Sequence, residues 1–139
     1  MWLKTQGGKL VNLDNTARIF IADKKAKWSS NFESCPAVYA QFSDGNSEAF
    51  DSVLFEAEHY KAYERKASWQ ITDEDRNEIL KRGREECQLY IDTLFGLITR
   101  RKSMQAIGHK EIAYLMEEQI KAGKHPNLST PEEEKADAA

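Results

Sequence analysis

The chain has 139 residues, 40% of them hydrophobic and 31% charged, a balance that suits one globular domain and excludes a disordered or membrane-embedded chain. Its net charge of -3 comes from residues 131–139, which hold four acids and one lysine, while residues 1–130 hold 19 basic and 19 acidic side chains. That even balance provides no general field for drawing in nucleic acid or acidic lipid. No apolar run approaches the roughly 20 residues needed to span a bilayer, and the N-terminal residues lack the apolar stretch of a secretory signal, so a cytoplasmic location without membrane contact is expected.

Residues 1–50 read as β structure, with short β-branched and aromatic runs cut by turn residues. Residues 2–5 and 9–13 flank Gln6, Gly7 and Gly8, and paired glycines can take the positive φ of a tight hairpin turn. After a polar corner at residues 12–15, residues 16–22 alternate, with Ala17, Ile19 and Ile21 on one face and Arg18 and Phe20 on the other. Residues 23–35 read as a long loop carrying Trp28 and Phe32. A fourth strand from Pro36 turns Val38, Ala40 and Phe42 to one side and Tyr39 and Gln41 to the other. Asp44 and Gly45 then form a turn pair before a fifth short strand at residues 47–50. Consecutive strands with short connections predict one antiparallel meander.

Three helices are expected to follow. The first, from Ser52 to about Ala67 behind an Asp51 N-cap, has the weakest pattern. Trp69 and Ile71 are expected to be buried at the corner that follows it. The second helix, residues 72–102, organises the rest: Thr72 caps it, Asp73, Glu74, Asp75 and Glu78 complement the positive end of the dipole, and Arg100, Arg101 and Lys102 the negative end. Its seam of Leu80, Gly83, Cys87, Tyr90 or Ile91, Leu94 and Leu97 or Ile98 recurs at spacings of three and four. With Phe95 the seam widens beyond one contact line, and a helix of these 31 residues would be about 46 Å long. A third helix over residues 108–122 stops at Gly123 and Pro126. Strands first and helices afterwards predict an α+β domain over residues 1–125, with a sheet part (1–50), a helical part (51–125) and a mobile acidic tail at 126–139.

Candidates for chemistry are few. Glu56 and His59 have the Glu-x-x-His spacing of di-iron helices, but those sites need a second copy and the chain has none; a solvated helix face is the plainer reading. His109 and His125 lack partners at zinc spacing, and Cys35 and Cys87 form no CxxC, so neither metal nor cofactor is expected. The two cysteines read as reduced thiols, Cys87 as a small buried apolar group. The basic cluster at Arg100 and Arg101 is read as completing the helix dipole rather than gripping phosphate.

These features favour a non-catalytic binding or assembly protein, most simply a homodimer or a module that holds a partner protein. Its expected contact residues are Trp28, Phe32 and Tyr39 of the aromatic sheet loop, Leu80, Cys87, Ile91, Leu94 and Ile98 on the helix, and Arg100 and Arg101 at the helix end. The alternative is a small enzyme or ligand-binding domain with a pocket between sheet and helices, using Glu56, His59, Tyr60 or Tyr63.

Overall fold

A computed structural model describes residues 1–25, 34–42, 50–63, 66, 68–100, 106–125 and 128. Within them the elements run β1 (Trp2–Lys4), β2 (Leu10–Asn12), β3 (Thr16–Lys25), β4 (Ser34–Phe42), β5 (Phe50–Glu56), α1 (Asp73–Arg100) and α2 (His109–Lys121). The class is α+β with antiparallel sheets and one long helix, as the sequence predicts.

The first hairpin forms where expected, with Leu3 opposite Val11 and both buried. Gly8 takes a φ of +86° at its turn, a conformation that strains any residue with a Cβ. The Thr5 hydroxyl accepts from the Lys9 amide at 3.1 Å and fixes the loop. What differs is the continuation. The described strands form two sheets, β1-β2 and β3-β4-β5, not one meander. The polar corner is a single 3-10 turn, Leu13–Asn15, entered through Asn12, whose Oδ1 accepts from the Asp14 amide at 3.0 Å. Local side-chain capping bends the chain there instead of pairing β2 with β3. The hairpin is held from elsewhere: Lys4 N–H donates to the Ile107 carbonyl and Ile107 N–H to that of Trp2, both at 2.8 Å.

In the larger sheet β4 is central and antiparallel to both neighbours. The alternation holds, since Val38, Ala40 and Phe42 are buried while Tyr39 and Gln41 are half-buried. On the outer face Phe20 stacks on Tyr39 at 5.6 Å, Arg18 lies over the Phe20 ring at 4.4 Å, and its Nε donates to Gln41 Oε1. β3 and β4 extend to Lys25 and back to Ser34, so residues 23–25, 34 and 35 of the expected loop belong to strands, and its remainder, 26–33, lies outside the described residues.

The helix expected from Ser52 does not form. Residues 50–56 are β5, paired along β4, and a 3-10 turn, His59–Tyr63, follows. Ser52 and Leu54 alternate into the core, and a register shift opposite Val38/Tyr39 lets the next residue, Phe55, be buried as well; cross-strand packing outweighs a weak helical preference. The chain therefore has two described helices rather than three. The fifth strand is displaced from residues 47–50 to β5, and residues 43–49 lie outside the described residues.

α1 matches its prediction closely. Asp75 N–H donates to Thr72 Oγ1 and Thr72 N–H to Asp75 Oδ2, each at 3.1 Å, a reciprocal cap. That backbone donor, with Lys66 nearby, holds the Asp75 carboxyl below its usual range. The buried line is Ile79, Gly83, Cys87, Leu89, Tyr90, Thr93, Leu94 and Leu97. Ile79, not Leu80, occupies its first position, because the helix turns one flank to the sheet and the other to α2, where Gln119 Nε2 donates to Thr93 Oγ1 at 3.2 Å. α2 starts after Gly108 and ends before Gly123, whose φ is +76°. Two further expectations fail: Trp69 is 85% exposed at the corner where only Ile71 is buried, and Leu128, assigned to a tail, is 7% exposed in the core.

Candidate functional site

The first candidate is the flank of α1 that faces past the sheet. Ile91, Phe95 and Ile98 follow at i, i+4 and i+7 and share one stripe. Ile91 and Ile98 are half-buried and Phe95 is 66% exposed. The stripe runs along β3. At one end Arg84 meets Asp23 at 3.6 Å; at the other, Ile98 shares a surface hollow with Met1, Leu13, Thr16, Arg18 and Ile19. α1 and β3 are thus antiparallel neighbours.

β3 is an outer strand of its sheet, hydrogen-bonded to β4 alone among the described residues. The opposite outer strand, β5, is covered: Gln6 N–H donates to the Leu54 carbonyl, and the Gln6 side chain both accepts from the Glu56 amide at 2.8 Å and donates to the Glu56 carbonyl. One sheet edge is therefore capped, while the other has no strand partner but β4 among the described residues and lies beside the stripe that carries exposed Phe95.

Of the predicted contact residues, Cys87 and Leu94 are fully buried core positions, Leu80 is half-buried, and only Ile91, Ile98 and Arg100 reach this surface or the helix end. Tyr39 sits on the outer sheet face with Phe20. Trp28, Phe32 and Arg101 lie outside the described residues. Sequence reading missed the position of β3 as an outer strand, because a five-strand meander would have placed β2 against it. The signal was the Asn12 cap, which ends the first sheet.

The second candidate is a cleft of about 520 Å³ between the β5 corner and the helices, floored by Phe55, Met116 and Leu128 and rimmed by Glu58, His59 and His109. The predicted Glu-x-x-His pair does not lie on a helix: Glu56 ends β5, where it pairs with Lys24, and His59 opens a 3-10 turn. Glu58 binds Gln6 Nε2 and Lys61, and its amide donates to Glu86. Behind the cleft Phe55 stacks on Tyr90 at 4.7 Å, with the His109 ring 6.4 Å from Tyr90. Burial lowers the His109 pKa, keeping the ring neutral at pH 7.

Among the described residues no group of three or more His, Cys, Asp or Glu could hold a metal ion. Both cysteines are free and buried. Burial pushes the Cys87 thiol up to about 12 and raises that of Cys35 as well, the reverse of what a nucleophilic thiolate needs. No described helix is long and apolar enough to cross a membrane. No family model matches the chain, and comparison with curated proteins and with solved structures finds no match.

Proposed function

We propose that this protein works by assembly, as a homodimer whose copies meet through the α1 flank at Ile91, Phe95 and Ile98. The observation that supports it is Phe95, a large apolar side chain 66% exposed between two half-buried isoleucines. Covering the exposed part of such a side chain contributes about 1–2 kcal/mol, and apolar surface left uncovered next to an outer strand suits an interaction surface. The cluster at Glu56 to His59 favours a structural role, since the Glu58 carboxylate accepts from Gln6, the Glu56 carboxylate pairs with Lys24 of β3, and the Glu58 amide donates to Glu86 of α1. The proposal places the chain in the cytoplasm, where two unbonded thiols persist.

Gel filtration of the wild type and Phe95→Glu at matched concentrations tests this reading. The wild type should elute as a dimer and the variant as a monomer with an unchanged circular dichroism spectrum. A variant that elutes with the wild type would remove the α1 flank from the interface, and capture of a different protein by a monomeric wild type would favour a hetero-partner.

A further inference from the structure

We infer that the two copies pair through β3, antiparallel about a two-fold axis at Phe20, so that the two three-stranded sheets become one continuous sheet; this rests on the dimer proposed above. The strand has the length for it, 10 residues, and among the described residues nothing hydrogen-bonds to its outer edge. Natural sheet edges are usually guarded by charges, bulges or a covering segment. Here three of the four charged residues of β3 are turned to other work: Lys24 pairs with Glu56, Asp23 meets Arg84, and Arg18 lies over Phe20 and binds Gln41. The only irregularity in its pairing with β4 is at Thr16/Arg18, which leaves Ile19, Phe20, Ile21 and Ala22 as a regular, uncharged stretch.

The register follows from what each alignment sets face to face, because directly opposed residues share a sheet face. Centring on Phe20 opposes Ile19 to Ile21 and Phe20 to its counterpart, sets Arg18 against Ala22, Asp23 against the small Ala17 and Lys24 against Thr16, and overlaps nearly the whole strand. Centring on Ile21 would oppose Arg18 to Lys24 and Ile19 to Asp23. Centring on Ala22 would oppose Ile21 to Asp23, and centring on Ile19 would leave Asp23 to Lys25 unpaired.

The same pairing explains the helix flank. Strands lie about 4.8 Å apart, so a helix seated over β3 and β4 stands about 5–7 Å from the axis, and the two α1 helices about 10–14 Å from each other. Close helix packing needs 8–10 Å. A large side chain reaching inward from each helix would close that gap, and exposed Phe95, flanked by Ile91 and Ile98 that pack against the core, is placed to do so.

The test is oxidative cross-linking of Phe20→Cys with diamide, with Asp23→Cys as the control. In the Phe20-centred register the two introduced thiols at 20 are directly opposed, while those at 23 are about 20 Å apart. A covalent dimer from Phe20→Cys and none from Asp23→Cys is expected. Cross-linking of Asp23→Cys in preference would overturn the register. If neither cross-links while the wild type is a dimer, β3 pairing is wrong and the α1 interface stands; if the wild type is a monomer, both fall. Should Phe20→Cys misfold, amide hydrogen exchange on the unmodified protein decides: the outward amides between Ile19 and Ala22 should exchange at least tenfold more slowly than in monomeric Phe95→Glu, and equal rates would overturn the pairing.

Discussion

Gly83 shows how one residue sets the spacing of two layers. A Cβ built there would stand 2.8 and 2.9 Å from Pro36 Cδ and Cγ and 3.2 Å from Ala57 Cβ. The ring belongs to the central strand and cannot swing aside. Gly83→Ala should therefore lower stability by about 1–2 kcal/mol through overpacking, even though alanine is the better helix former by about 1 kcal/mol; a urea melt gives the sign, and a stabilised variant would mean that α1 rides higher on the sheet. The sequence placed Gly83 on the seam but could not say that a proline faces it, since the contact joins residues 47 positions apart. Cys87, four residues on, was legible as a small buried group. Its thiol is raised from 9.0 to about 12 by burial, so the folded state keeps a proton that the unfolded chain releases. Its contribution is complete below pH 9 and lost as pH rises toward 12. Urea midpoints measured from pH 8 to 11 should fall in the wild type and fall less steeply in Cys87→Ala.

At the scale of elements, α1 was the most legible part because cap, dipole charges and periodicity agree over many turns. β5 was misread because its apolar residues fit either period, and the deciding partner, β4, is remote in sequence. The C-terminal segment taught a similar lesson. Its composition reads as a solvated tail, yet Leu128 is buried against the core and its amide donates to the His125 carbonyl at 3.0 Å. A chain ended after residue 130 should keep wild-type stability, whereas one ended after residue 125 should lose about 1.5–3 kcal/mol, the burial of one leucine. Thermal melts of the two truncations check this, and equal melting temperatures would mean that Leu128 contributes nothing to the core.

For the whole molecule, the class was legible and the division into two sheets was not. That division matters most, because it leaves β3 as an outer strand beside the Ile91, Phe95 and Ile98 stripe while Gln6 covers the other edge. Apolar surplus on α1 could be read from spacing alone; the strand edge beside it needed the fold. Both features lie on one side of the molecule, and a second copy would satisfy both through one axis. Light scattering of the full-length wild type at about 20 μM, coupled to gel filtration, is the most direct test. A mass about twice the 16.0 kDa of the chain is expected, and a mass equal to one chain across a tenfold rise in concentration would contradict it.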